Sequence, residues 1–238
     1  MILVATLLCD RKKSSQLIAI KNIAALTHQD ILIYVNIETS DLEGNFADLL
    51  DFLQNCGRPY HIDTWQFNST WHKRPTFDQD QARLFPIVIA RNMSLEAAFA
   101  LGASHIFQVD ADVLVPPDSI ERLLAIGRPV VSGLVPGRGA HACANYLFHI
   151  QGTFGRYIEC SHATCGFTLI ERKVFEVIRY RVGPHPIHRE TILSEDPAFG
   201  ADFHCIWGYD WWTVDMELKA QHWDDPNAPM SWDQGSQF

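Results

Sequence analysis

Short apolar runs alternate with amphipathic stretches through the first half of the chain. Residues 2–9 and 31–36 are continuous apolar runs that read as buried strands, the second leading into the polar Asn36 and Glu38. Between them, residues 14–26 have helical spacing, with Ser14 or Ser15 available as an N-cap. Phe46, Leu49, Leu50, Phe52 and Leu53 fall at helical spacing within 45–56, which stops at Gly57-Arg58-Pro59. Residues 61–67 read as a third strand, and the polar stretch 68–82 as a surface loop. A helix over 89–101 closes at Gly102; 105–109 is a strand, 117–126 a helix stopped by Gly127, and 130–134 another strand. The second half is less regular, with strands at 159–165 and 167–170 and helices at 171–180 and 197–207. Strands joined by crossover helices imply a parallel, doubly wound sheet covered on both faces. With the later strands continuing it, the expected fold is α/β, a mixed, mostly parallel sheet flanked by helices. No repeat or Gly/Ser linker divides the chain, so 1–223 is read as one domain and 224–238 as a loose tail.

Composition narrows the field without naming a function. Of 238 residues, 47% are hydrophobic and 20% charged, an ordinary globular balance. The net charge of −9 is spread along the chain and argues against a large nucleic-acid footprint. Six cysteines in a chain of this length do not form a disulfide scaffold. No apolar run is long enough for a membrane span, and the opening run lacks the basic flank of a signal peptide. A soluble, cytoplasmic protein is expected, in which the sequon Asn68-Ser69-Thr70 has no role. Cys160 and Cys165 with His162, and His141 with Cys143, lack C-x-x-C spacing, so structural zinc is not expected.

The informative segment is His105-Ile106-Phe107-Gln108-Val109-Asp110-Ala111-Asp112. An apolar strand runs directly into two carboxylates, and the period of two predicts that Asp110 and Asp112 share a face. Ligands of open parallel sheets sit beyond the carboxyl ends of the strands. Two adjacent like charges are costly unless a cation neutralises them, and hard oxygen ligands suit Mg²⁺ or Mn²⁺, which would bridge to phosphates. The same rule makes Thr6 and Leu7 of the first strand, and Glu38 after the second, candidates to touch ribose or base. The guanidinium fork of Arg91 matches diphosphate oxygens. No G-x-G-x-x-G, Walker A, G-x-S-x-G or H-E-x-x-H motif is present.

With these residues in view, the chain resembles nucleotide-sugar-dependent glycosyltransferases of the GT-A fold, in which D-x-D at a strand end holds a divalent ion against the diphosphate. Further segments match in order: Ala90-Arg91-Asn92, the helix at 118–124, the strand and loop at 130–138, and Cys165-Gly166-Phe167 with its continuation to Phe175. Ser194-Glu195-Asp196-Pro197-Ala198-Phe199 resembles the family's E-D-x-x-F signature, and Gly208-Tyr209 and His222 fall where it has G-Y and a C-terminal metal-binding histidine. The resemblance extends to about residue 223 and implies Asp196 as general base, Glu195 as its positioning partner, and Asp110, Asp112 and His222 as metal site, with His204 the fallback ligand. It implies a transfer from a nucleoside-diphosphate sugar to an acceptor hydroxyl, with inversion if Asp196 is the base. The strand end Thr6-Leu7-Leu8-Cys9 departs from the family's more polar pattern. Gly166-Phe167 and the aromatics Trp207, Tyr209, Trp211 and Trp212 would face the acceptor, although Trp211-Trp212 fits a core or a contact between copies of the chain equally well. The acceptor stays open among polysaccharide, lipid, protein, small molecule and modified nucleobase. A nucleotidylyltransferase of related fold and a non-catalytic nucleotide- or sugar-binding relative are the alternatives. The first would carry a Gly-rich basic loop, and Arg11-Lys12-Lys13 has no glycine.

Overall fold

The computed structural model describes residues 1–9, 13–66, 79–135, 148–207 and 210–222. Through them run β1 (Ile2–Cys9), α1 (Lys13–Ala24), β2 (Ile31–Glu38), α2 (Leu42–Asn55), β3 (Tyr60–Trp65), α3 (Gln79–Ala100), β4 (His105–Val109), β5 (Val113–Leu114) and α4 (Ser119–Ile126). There follow β6 (Val130–Leu134), β7 (Phe148–Phe154), β8 (Tyr157–His162), β9 (Phe167–Glu171) and α5 (Arg172–Phe175). The last elements are β10 (Gly183–Pro184), β11 (Ile192–Leu193), α6 (Glu195–Trp207), β12 (Trp212–Lys219) and β13 (Gln221–His222).

Nine strands make one sheet in the order β3-β2-β1-β4-β9-β6-β12-β8-β7. β3, β2, β1 and β4 pair in parallel, as do β6 and β12. β9 opposes both of its neighbours and β8 both of its own, so these two strands alone run against the rest of the sheet. The apolar runs of β1 and β2 are continuous because both faces are covered. On one side Ile20 and Ile23 of α1, Phe46, Leu49 and Leu53 of α2, and Ile120 and Leu123 of α4 pack on Val4, Ile33, Val35 and Phe107. On the other, Leu95 and Ala98 of α3, Phe175 of α5, and Phe199 and Phe203 of α6 pack on Leu3, Ala5, Ile106, Ile170 and Val214. Each large side chain so buried contributes about 1.5–3 kcal/mol of transfer free energy.

The expected α/β architecture is therefore present, and several boundaries differ for identifiable reasons. α1 begins at Lys13, which puts Ser14 and Ser15 inside its first turn rather than at the cap. α2 begins at Leu42, where the Asp41 carboxylate accepts from the Gly44 amide at 2.9 Å. α3 starts at Gln79, within the stretch expected to be loop, and runs through Pro86, whose missing amide interrupts the helical pattern. The helix expected over 171–180 is the single turn α5. Beyond it the Tyr180 backbone is claimed by the Asn92 amide, which donates to its carbonyl at 2.9 Å and accepts from its N–H at 2.8 Å. α6 starts at Glu195, earlier than the expected 197. β7 and β12 were not expected; β12 carries the fully buried Asp215 between the guanidinium groups of Arg156 at 3.3 Å and Arg122 at 3.5 Å. Trp212 is likewise core, not an acceptor platform: it is fully buried and donates to Ser132 Oγ at 2.5 Å. Among the described residues no helix is long and apolar enough to cross a membrane. The sequon, His141, Cys143, Gly208-Tyr209 and the tail 224–238 lie outside the described residues, as does the Trp207 side chain.

Close packing at the centre of the sheet depends on Gly133 of β6. A Cβ there would stand 2.1 Å from Phe167 Cε1 and 2.6 Å from the Leu218 carbonyl oxygen. Gly133→Ala is expected to lower unfolding free energy by about 1–3 kcal/mol through overpacking, measured by urea denaturation. Unchanged stability would show that β6 and β12 can separate without cost.

Candidate active site

The site forms where β4 ends. The ladder stops at Val109; the chain then turns, with the Val113 amide donating to the Asp110 carbonyl at 3.0 Å. This corrects the expectation that Asp110 and Asp112 share a strand face, because the turn sends the two carboxylates to different partners. Asp110 Oδ1 receives Arg91 Nη2 at 3.0 Å. The Asp110 amide donates to the Gly166 carbonyl at 3.0 Å, and a Cβ on Gly166 would stand 2.4 Å from Asp110 Oδ2, so only glycine leaves room for this carboxylate. Asp112 is buried, with its Oδ2 3.6 Å from His222 Nε2.

His222 reaches Asp112 through a two-stranded ribbon: β13 pairs antiparallel with β5, with His222 opposite Val113. The turn leading into α4 is pinned from α1, where the Asn22 amide donates to the Val115 carbonyl at 3.0 Å and accepts from its N–H at 2.8 Å. Asp112 and His222 offer an oxygen and a nitrogen, a donor set that fits Mn²⁺. Among the described residues no three His, Cys, Asp or Glu side chains gather into a metal site.

Arg91 is buried in α3, and its charge is served from several directions. Nη1 donates to Gln108 Oε1 at 3.2 Å and to the Cys165 carbonyl at 3.4 Å, while Nη2 holds Asp110. Burial works against the charge, but Asp110 and, more remotely, Asp196 favour it, so the guanidinium stays protonated. Enclosure pushes the Asp110 carboxyl up, Arg91 pulls it back, and Asp112 and Asp196 add to the rise.

Glu195 and Asp196 occupy the first turn of α6, where the helix dipole favours negative charge. Glu195 Oε2 and Asp196 Oδ1 are buried atoms without a hydrogen-bond partner. An unpartnered buried acceptor suits a ligand hydroxyl. Burial, followed by the neighbouring Asp196 charge, pushes Glu195 up to about 7, with Arg91 acting in the opposite direction.

Other candidate residues lie elsewhere. Thr6 is fully buried in β1 beside Val35, on the face shared with Val4 and Leu8, and stops short of the sheet's carboxyl edge. Glu38 ends β2 at that edge, in register with Cys9 and Trp65. His204 stacks on Trp211 with ring centroids 3.8 Å apart, and its Nδ1 lies 3.1 Å from the Asp210 carbonyl oxygen. Sequence reasoning missed Gln108 and Tyr180. The signal for Gln108 was a lone polar residue in an apolar strand, two positions before Asp110.

This mixed sheet and its helical layers define a GT-A fold, and solved structures share it. The chain matches S. aureus TarS 1-349 in complex with UDP-GlcNAc with a TM-score of 0.59 at 11% identity, covering 92% of this chain and 57% of that one. It matches the mannosyltransferase PcManGT from Pyrobaculum calidifontis in complex with GDP-Man and Mn²⁺ with a TM-score of 0.57 at 11% identity, covering 92% and 55% respectively. The chain thus spans little more than half the length of these two solved chains, and 36% of the longer S. aureus TarS chain. A197 from STIV matches end to end, over 100% of this chain and 98% of that one, with a TM-score of 0.51 at 15% identity. No family model matches the sequence, and no curated protein sequence matches it significantly.

The Glu195 environment has a measurable consequence. Its folded-state value of about 7 stands above the ordinary 4.5, so between these values the native chain holds a proton that the unfolded chain has released. Glu195 therefore costs stability increasingly as pH rises through that window. Glu195→Gln is expected to match the parent near about pH 4.5 and exceed it by about 3 kcal/mol at about pH 8, by urea denaturation at each pH. A variant with the same relative stability at both would contradict the placement of Glu195.

Proposed function

We propose that the chain is a metal-dependent, inverting glycosyltransferase that moves a sugar from a nucleoside-diphosphate sugar to an acceptor hydroxyl. The observation that carries this reading is the meeting of two acidic groups at one buried guanidinium: Asp110 of the D-x-D at 3.0 Å from Arg91, and the Glu195–Asp196 pair within electrostatic reach of it. The GT-A fold and the orphaned acceptor at Asp196 Oδ1 support it.

In this reading Asp112 and His222 hold Mn²⁺ or Mg²⁺, with Asp110 completing the cation-binding edge. The bound ion supplies neutralisation of charge on the departing diphosphate. Asp196 Oδ1 accepts the proton of the acceptor hydroxyl as its oxygen bonds to the anomeric carbon. The bond from that carbon to the diphosphate oxygen breaks on the opposite face, so configuration inverts. Glu195 keeps its proton at mildly acid pH, which limits the negative charge beside Asp196. Glu38, at the carboxyl edge of β2, stands on the side proposed for ribose and base.

Thermal stabilisation against nucleoside diphosphates, each with and without Mn²⁺, tests the donor site, and turnover with the matching sugar donor tests the reaction. One diphosphate should raise the melting temperature only with Mn²⁺, and Asp112→Ala should abolish the shift. Asp196→Asn should retain the shift but lose about 100-fold or more in turnover. No shift with any diphosphate, or full turnover in Asp196→Asn, would overturn the proposal.

A further inference from the structure

Gln108 is a buried polar side chain inside the otherwise apolar β4, on the alternation that also sets the direction of Asp110. Its Oε1 accepts from two donors, the Tyr180 hydroxyl at 2.5 Å and Arg91 Nη1 at 3.2 Å. Its Nε2 donates to Ser94 Oγ at 3.3 Å, and Ser94 Oγ donates to the Arg91 carbonyl at 2.6 Å. Two donors on one side and an acceptor on the other fix which way the amide points. Burial keeps the Tyr180 phenol protonated and able to donate.

Tyr180 is itself held at three places. Asn92 bonds its backbone N–H and carbonyl, as described above. Its ring carries the Arg91 guanidinium 5.5 Å from the centroid and stacks on Phe199 at 4.6 Å with an interplanar angle of 21°. Phe199 lies one helical turn beyond Asp196 on α6, so the stack runs from the helix bearing the acidic pair, through Tyr180, to the guanidinium that grips Asp110. Phe199 is anchored in turn by an edge contact to Trp212 at 5.9 Å. Without Gln108 Oε1, Nη1 would keep only the longer bond to the Cys165 carbonyl, and the guanidinium could swing between Asp110 and the Glu195–Asp196 pair.

We propose that Tyr180 and Gln108 are positioning residues: they lock the Arg91 guanidinium in one orientation and thereby fix the spacing between the D-x-D and the Glu195–Asp196 pair. In catalytic terms this rests on the glycosyl-transfer reading, since the spacing is that between donor and acceptor halves of the site. Tyr180→Phe keeps the ring stack and removes only the hydroxyl. Gln108→Met keeps the volume and removes both oxygen and amide. Gln108→Glu keeps two acceptor oxygens for Tyr180 and Arg91.

The test is steady-state turnover of these three full-length variants beside the parent, with donor KM and melting temperature recorded for each. Tyr180→Phe and Gln108→Met are expected to lose about tenfold to 100-fold in kcat, with donor KM within about twofold. Gln108→Glu should retain more kcat than Gln108→Met. A packing role predicts the reverse order, because an apolar side chain suits a dry core better than a carboxylate. Parental kcat in Tyr180→Phe and Gln108→Met, or Gln108→Met surpassing Gln108→Glu, would overturn the proposal.

A double-mutant cycle for unfolding, pairing Tyr180→Phe with Arg91→Lys, reads the lock without any substrate. The two changes should be non-additive, and additivity would overturn the lock. Absence of turnover in the parent would sink the transferase reading, while the cycle would still decide whether Tyr180 and Arg91 are coupled.

Discussion

A guanidinium taken almost wholly out of water needs partners for its N–H groups, and much of this structure can be understood as the answer to that demand at Nη1 and Nη2 of Arg91, while its Nε is buried without a hydrogen-bond partner. Removing either the charge or its partner from such a site is costly, because the group left behind is buried and unpaired. Arg91 therefore ties together elements remote in sequence: α3, which carries it; the end of β4, which supplies Asp110 and Gln108; and the approach to β9, which supplies the Cys165 carbonyl. The negative charge gathered at the carboxyl edge of the sheet is tolerable because this cation lies beneath it. The three donors of a lysine all radiate from a single nitrogen, whereas the planar fork presents donors on separate nitrogens and so reaches partners on different elements at once.

The sheet makes room for that arrangement by its mixed order. β9 enters between β4 and β6 against the direction of both, so its N-terminal end arrives at the edge where β4 finishes. That places Gly166 against Asp110 and lets a backbone carbonyl, rather than a side chain, approach the carboxyl edge. A parallel strand at the same position would bring its own C-terminal end there instead. On the far side, β12 sits between β6 and β8 and carries Asp215 into the interior, where two arginines balance it.

How legible this was in the sequence varied with the physical origin of each feature. β1, β2, β4 and β6 were readable because a strand buried on both faces must be a continuous apolar run, and α4 because Gly127 terminates it in a left-handed conformation with φ of 66°. The start of α3 was hidden by Pro86, and β12 by charged residues whose neutralisation is tertiary: nothing local reveals that Asp215 meets Arg122 and Arg156. The helix expected beyond Phe175 looked sound on propensity and was ended by a side chain 88 residues away, the Asn92 amide on the Tyr180 backbone. At the site, the acidic pairs were visible as ordered motifs. Their convergence on Arg91, the turn that separates Asp110 from Asp112, and the parts taken by Gln108 and Tyr180 emerge only when the chain is folded.

The ribbon of β5 and β13 joins residues separated by nearly half of the chain, and everything between them belongs to other parts of the fold. Asp112 emerges in synthesis well before His222, and closing so long an interval is favourable only once the intervening sheet has formed. Their pairing is thus a record of completed folding: a partially folded chain, or one cleaved and loosened anywhere in that interval, could keep both side chains chemically intact while losing their proximity.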